Sequence, residues 1–415
     1  MTVRVNTDSF NLREKLSELE RPIGLKGSDL MKSETVQEAR DFISAGRKNM
    51  IINGACNINQ RNSGSYTIPH ATGGSYGGPD RWAINEATGG TVSVNMDGDP
   101  YSGNGDGSDV QEFSKAMQIA VTADNSSLSS NENLHFFQNI EGYNTTRLGW
   151  GTPGAKPATL SFWVRSNVPG TYCVGLENNA VNKTCIREYT VNPGFKWQKV
   201  VLTFPGPIDG TWEATNSIGI RVRFCLASGT TYDDGIDGQW VVGDELTTGN
   251  QVNFINSTNN RYFITGVQLE VGKNATDFEH RPYGEELALC QRYYQSTNRL
   301  QASSVPLGQY GETAYTGWQY ADNAGSLRIR LPVEMRVGPA ATVVGSVSAS
   351  PGADGTIGAY GSSGWMTLSS ISVTAATPLS IRINTAGITG SGKDAFGLYF
   401  YGTYLTSTIK LDAEL

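Results

Sequence analysis

The chain has 415 residues, a formal net charge of −7, 49 glycines, 17% charged side chains and 10% aromatics. That mix is too apolar and too aromatic for a disordered chain, lacks the basic footprint of a nucleic-acid binder, and has no apolar run near the ~18 residues of a membrane span. Three histidines and five scattered cysteines, without CxxC or HxH spacing, speak against a zinc site.

In chain order, charge comes first. Residues 1–48 hold 9 Lys/Arg and 8 Asp/Glu, leaving 54 charged residues for the other 367. Residues 1–8 lack an apolar h-region, so no ordinary secretory signal is expected. Leu12, Leu16 and Leu19 share one helical face, and Arg21-Pro22 stops that helix. Ser33 opens a second helical pattern that ends at Gly46. Two such narrow apolar faces make no core alone. Residues 1–48 are expected to dock on a partner or oligomerise, or else to pack as a simple appendage.

From Asn49 to about residue 285, strand patterns alternate with Gly, Asn, Pro and Ser turns. They include Thr159–Arg165, Gly170–Leu176, Trp197–Phe204, Gly219–Leu226 and Tyr262–Leu269. Ile220, Val222, Phe224 and Leu226 share one face of their strand, and Arg221 and Arg223 share the other. That predicts an antiparallel sheet with one wet face, and the strand count predicts a two-sheet sandwich. Trp163 and Trp197 sit in apolar strands and are expected in the core. Asp109–Ala120 reads as a short helix or another strand. Glu285–Tyr294 has helical spacing and serves as a linker helix or the lead into a strand. Residues 286–415 are rich in Gly, Ser, Ala and Thr. Strand patterns at Gly325–Leu331, Ala341–Ser348, Phe396–Leu405 and Ile409–Leu415 predict a second, smaller sandwich. The fold class expected is therefore all-β, with a short helical segment at 1–48.

Few residues point to catalysis. Gly387–Asp394 approaches a P-loop, but Asp394 stands where the magnesium-binding Ser or Thr is needed and a strand pattern follows. Asp97–Asp109 is acidic and glycine-rich, which suits a hydrophilic turn. A structural calcium ion, helped by Glu270, is the alternative. Asp233, Asp234, Asp237, Asp244 and Glu245 crowd one stretch and read as a solvated edge, not as paired glycosidase acids. No enzyme activity is expected. Tyr143, Trp150, Trp212, Tyr232 and Trp240 lie in Gly/Asn/Asp-rich sequence. Such rings either pack under long loops or present a sugar-binding face.

Several segments carry a resemblance. Asn49–Gly54 with Asn59-Gln60-Arg61, the Asp80-Arg81-Trp82 element, Gly266–Gly272, Ala275–Pro282 and Glu285–Tyr294 resemble a domain of bacteriophage tail-fibre and virion structural proteins. Leu331–Pro339 and Ala413–Leu415 resemble the tail of those proteins, and Leu16–Pro22 and Gly46–Asn49 their lead-in. Gln268–Tyr294 is the most specific stretch. Cys56 departs from the pattern, where Phe or Met is more usual. The resemblance implies a carbohydrate-binding-like jelly roll over 49–285. It implies structural roles for Asp80, Arg81, Trp82, Glu270 and Arg281, as ion pair, turn anchor and strand end. It further implies a homotrimeric virion appendage, bound through residues 1–48 to other virion proteins and turned toward a bacterial surface polysaccharide or lipopolysaccharide. The alternative it leaves is a capsid or tail decoration or spacer protein without a ligand.

Overall fold

A computed structural model describes residues 47–62, 64–97, 110–296, 315–321, 323–348, 355–361, 364–388, 395–401 and 408–415. The expected helices of the N-terminal segment and residues 98–109 of the acidic stretch lie outside the described residues.

Among the described residues the regular secondary structure is nearly all strand. The larger sandwich holds β1 (Tyr66–Thr67), β2 (Ala71–Ser75), β3 (Ala83–Ala87), β4 (Thr91–Asp97), β5 (Ala116–Ala123) and β6 (Asn133–Glu141). A single-turn helix, α1 (Gly142–Thr145), follows. Then come β7 (Ala158–Ser166), β8 (Gly170–Glu177), β9 (Thr184–Val191), β10 (Gln198–Phe204), β11 (Ile218–Ser228), β12 (Trp240–Val241) and β13 (Arg261–Val271). They form two antiparallel sheets, ordered β1-β4-β5-β13-β7-β10 and β12-β9-β8-β11-β6-β3-β2. The core lies between them because alternate residues of each strand point inward. Leu160, Phe162 and Val164 of β7 thus meet Val222, Phe224 and Leu226 of β11 in one buried cluster. Phe136 and Phe224 stack with centroids 4.8 Å apart, and Trp82 meets both edge-on.

One open alternative closes here, and one expectation is refined. The stretch Asp109–Ala120 contributes strand β5, not a helix. Trp197 is buried as expected and Trp163 is half-buried beside it, but neither is in the cluster between the sheets. They pack outside the six-stranded sheet in a smaller cluster with Phe113 and Phe263. There the Arg165 guanidinium lies 4.4 Å from the Phe263 ring and 5.1 Å from Trp197.

The segments that carry the resemblance converge on one seam. β13 bulges between Thr265 and Gln268. Gly266 takes φ +62° in the bulge, and a Cβ there would lie 2.5 Å from the Phe113 ring. The bulge exposes Val267 N–H, which donates to Gly54 O (3.0 Å), so the Asn49–Gly54 segment runs alongside. Arg281 fastens that segment from outside: it donates to Asn49 O and Ile51 O and pairs with Glu279 (3.2 Å) and Glu286 (3.3 Å). Glu270 anchors the turn after β13 by accepting from Thr276 N–H (2.8 Å) and Thr276 Oγ1 (2.7 Å). Asp80 accepts from Gln60 N–H (2.9 Å) and Gln60 Nε2 (2.6 Å).

Helix α2 (Tyr283–Gln291) leads directly into β14 (Tyr294–Ser296), so Glu285–Tyr294 supplies both readings it allowed. The second unit adds β15 (Tyr315–Ala321), β16 (Ala324–Arg330), β17 (Ala340–Val344), β18 (Ser346–Val347), β19 (Thr356–Gly361) and β20 (Gly364–Met366). It closes with β21 (Ser370–Thr377), β22 (Ser380–Ala386), β23 (Ala395–Tyr401) and β24 (Thr408–Asp412). β14-β24-β17 form one sheet and β18-β19-β23-β15-β16-β22-β21 the other, with β20 beside β19. The single strand expected over Ala341–Ser348 is divided. Gly345, at φ +106°, breaks it, and the halves β17 and β18 join different sheets. A separate core holds Leu327, Ile329, Ile381, Ile383, Phe396 and Leu398.

The two units meet through charge. Arg81, at φ +74°, is buried with its guanidinium 3.5 Å from the Tyr293 ring and pairs with Glu414. Arg61 reaches Asp412 (2.8 Å) and Glu414 (3.0 Å), and Arg292 and Tyr293 both bond to the buried Glu141. No helix among the described residues is long and apolar enough to cross a membrane.

Candidate functional site

The outward face of the seven-stranded sheet holds the most concentrated polar chemistry. Because β6, β8 and β11 alternate, their inward residues fill the core and their outward ones line up across strands. Cys225 stands opposite His135 and Cys173, with Asn85 beyond His135. Arg223 stands opposite Phe137 and Gly175. Arg221 stands opposite Asn139 and Glu177.

This face was expected to be wet, and over Arg223 it is not. The chain from Gly229 to Val252 folds across it, and Arg223 is 5% exposed. The cover is tied down at several points. Asp244 Oδ1 accepts from Arg223 Nη1 (2.6 Å), and Glu245 O accepts from Nη2 (3.2 Å). Tyr232 O accepts from the amides of Leu246 and Thr247 (both 3.0 Å), and Gln251 Oε1 accepts from Cys173 N–H (2.8 Å). Underneath, fully buried Glu177 lies 3.2 Å from Arg221 and 3.1 Å from Arg223. Its Oε1 has the ion contact but no hydrogen bond. Burial pushes the Glu177 carboxyl above its ordinary 4.5 against the pull of both arginines.

Beside the cover a cleft of about 240 Å3 stays open. Asn85, Asn133, His135 and Phe137 form its floor, and Arg221, Arg223, Tyr232, Asp244 and Leu246 its walls. A chain of bonds orients the floor. Gly73 N–H donates to Asn85 Oδ1 (2.9 Å), so the Asn85 amide nitrogen faces Asn133 Oδ1 (2.8 Å). Asn133 Oδ1 can only accept, so His135 Nδ1, 3.1 Å away, is the donor and Nε2 is left as the acceptor nitrogen. Burial, and then Arg223 and Arg221, hold His135 well below its usual 6.5, so the ring is neutral. Phe137 is fixed by Arg221, whose guanidinium is 5.5 Å from the ring, and by Gly74, where a Cβ would lie 2.6 Å from Phe137 Cζ.

Of the five aromatics singled out in the sequence, Tyr232 lines this cleft. Trp150, Trp212 and Trp240 come together elsewhere, edge to face, with centroids 4.7 to 5.3 Å apart. Each spends its N–H on a backbone carbonyl: Trp150 on Lys156, Trp212 on Asp209 and Trp240 on Pro205. Trp150 is buried and the other two half-buried. Tyr143 stands apart on α1, 60% exposed. The acidic stretch is an edge with one inward role: Asp237 pairs with Arg187 (2.9 Å), while Asp244 enters the cleft. Among the described residues no group of three or more His, Cys, Asp or Glu could hold a metal. The five cysteines are buried and none is in a disulfide, Cys173 and Cys185 included.

Sequence reasoning missed Asn85, Asn133, His135 and Phe137. A signal existed: residues 133, 135 and 137 alternate with core residues Leu134 and Phe136, as Arg221 and Arg223 alternate with Val222 and Phe224. Nothing in the sequence showed that the two strands would be neighbours.

No protein-family model matches the chain, and no curated protein matches it. Solved structures with a partial likeness include the enzymatically active domain of tailspike protein 4 of bacteriophage CBA120, at 12% identity and TM-score 0.26 over 46% of this chain. The likeness covers only 19% of that tailspike chain. A CBM4 structure is 17% identical, with TM-score 0.27, over 53% of this chain and 97% of that one. A family 11 carbohydrate-binding module from Clostridium thermocellum is 12% identical, with TM-score 0.24, over 53% and 99%.

Proposed function

We propose that this chain is a virion appendage subunit, a tail fibre, that recognises a host-surface glycan in the cleft over the seven-stranded sheet. The observation that carries the reading is the cleft's composition. An aromatic floor (Phe137) and wall (Tyr232) stand beside fixed, neutral or paired polar groups: Asn85, Asn133, His135 and the Arg223–Asp244 pair. Sugar recognition needs that combination of ring contact and preset hydrogen-bond partners. The cleft volume lies just under the roughly 300–1,000 Å3 of small-molecule sites, which suits a short run of sugar. The reading is of binding without cleavage, because Asp244, the one carboxylate lining the cleft among the described residues, is engaged by Arg223. The virion assignment rests on the resemblance of residues 49–61, 78–82 and 266–294. Attachment through residues 1–48 rests on their charge and apolar spacing, and a homotrimer on the usual symmetry of such fibres.

The test uses the full chain against a panel of bacterial surface polysaccharides and lipopolysaccharides. At least one is expected to bind, with Phe137→Ala and Tyr232→Ala each weakening it about tenfold, or ~1.4 kcal/mol. Binding that neither substitution changes would remove the cleft from the account, and absence of binding across the panel would favour a spacer. Antibody labelling of particles locates the subunit. Label on the capsid away from the tail would overturn the fibre assignment.

A further inference from the structure

The second unit carries an exposed surface that the reading above does not use. On the outward face of its larger sheet, the register puts Tyr360 of β19 opposite Gly397 of β23, and Gly397 opposite Thr316 of β15. Tyr399, two residues along, folds its ring over Gly397, where an added Cβ would lie 2.8 Å from the ring. On β15 the same face presents Trp318 and Tyr320, each 56% exposed, and Tyr360 is 39% exposed. The next two strands change character. Trp318 is opposite Ser326 and Ser326 opposite Asn384, while one step along Arg328 of β16 is directly opposite Arg382 of β22. Arg328, Arg330 and Arg382 are all exposed.

Two facts make this more than an uncovered face. First, like charges directly opposite on a sheet repel, and among the described residues Arg382 meets only Ser326 Oγ (3.2 Å) in compensation. Second, no strand of this sheet, β15, β16 or β18 to β23, contains an Asp or Glu, although the whole chain is acidic at −7. The sheet's charge is thus entirely positive and sits beside its exposed rings. A two-fold contact between copies through this face would set arginines against arginines, which disfavours it.

We propose that this face binds an acidic polysaccharide, with sugar rings on Trp318 and Tyr320 and their anionic groups on Arg328 and Arg382. Strand spacing of about 4.8 Å and a rise of about 3.4 Å per residue put the Trp318 and Arg328 backbones within roughly 9 Å of each other. Neighbouring sugars of one strand can therefore reach both. Guanidinium groups take carboxylate or sulfate in forked geometry, and the like-charged Arg328–Arg382 row is relieved by an anion. The site is separate from the cleft of the larger sandwich.

The test measures retention of the full chain by polygalacturonate and by dextran sulfate, with neutral dextran as the control. Both acidic polymers, or one of them, are expected to retain it; which one distinguishes carboxylate from sulfate recognition. Arg328→Ala/Arg382→Ala and Trp318→Ala should each weaken retention about tenfold, and salt should weaken the wild type as its screening length shortens. Ile208→Ala, an exposed change on the larger unit, should leave it unchanged. All three side chains are exposed, and unchanged thermal unfolding confirms that the variants fold. Retention of neither polymer, equal retention of dextran, or full retention by the arginine variant would overturn the proposal. So would a drop in light-scattering mass on Trp318→Ala, which would make the face a contact between copies.

Discussion

Replacing Arg223 with methionine separates the two things that hold the cleft's covered side together. The wild-type arrangement buries Glu177 completely and balances it with Arg221 and Arg223. Removing one partner of a buried pair typically costs about 3–5 kcal/mol, because the remaining charge is left without compensation. Arg221 stays 3.2 Å from Glu177 Oε2, so the lower end, about 3 kcal/mol, is expected. The half-exposed Asp244 adds less than about 1 kcal/mol. The sign with pH follows from burial, which already raises the Glu177 carboxyl above 4.5. Without Arg223 it rises further, so the folded variant retains a proton that the unfolded chain has released. The deficit is therefore full at neutral pH and shrinks as pH falls toward 4.5. Denaturant titration followed by tryptophan fluorescence reads it, since six of the eight tryptophans belong to the larger sandwich. In a Glu177→Gln background the same substitution should cost only about 1 kcal/mol. An Arg223→Met cost below about 1 kcal/mol at pH 7, or one equally large in the Glu177→Gln background, would refute the reasoning.

Other expectations are simpler. Gly266→Ala forces a side chain into φ +62° and against the Phe113 ring; a loss of about 2 kcal/mol is expected by denaturant titration. His135 is held neutral in the folded chain, so the unfolded chain binds a proton first. Wild-type stability should fall by up to about 1.4 kcal/mol per pH unit below 6.5 relative to His135→Gln, as read from paired titrations. Burial pushes the thiols up, Cys56 and Cys185 to about 12 and Cys173 to about 11. A thiol reagent at pH 8 should label none of the five cysteines in the native chain and all five in guanidinium chloride.

Strand patterns at β7, β8 and β11 were legible because apolar residues recur at every second position over most of each strand, and β13 was legible despite its bulge. The seam was legible in part: Arg81, Glu270 and Arg281 stood out as anchors, yet their partners lie as far away as Glu414. Helix α2 and strand β14 share one stretch of sequence, and only the pairing of Tyr294 with Asp412 shows where one gives way to the other. Local pattern showed that Trp197 would be buried, but not that it and Trp163 pack in a cluster apart from the one between the sheets. A tryptophan on the outward face of a sheet looks apolar in sequence whether it meets the core or a surface cluster. The cleft was the least legible feature. Its floor comes from β3 and β6, its walls from β11 and the chain after it, and their meeting is a matter of sheet order. Tyr232 was found because it sits in loop-like sequence. Phe137 was not, because it reads as an ordinary strand residue.

The most direct test of the central claim is a crystal structure of the full chain with the oligosaccharide unit of a surface polysaccharide that binds it. The account predicts a sugar ring against Phe137 and Tyr232, with hydroxyls on His135, Asn85 or the Arg223–Asp244 pair. Sugar density only elsewhere, at Trp212 and Trp240 or at Tyr143, with the cleft empty, would contradict it.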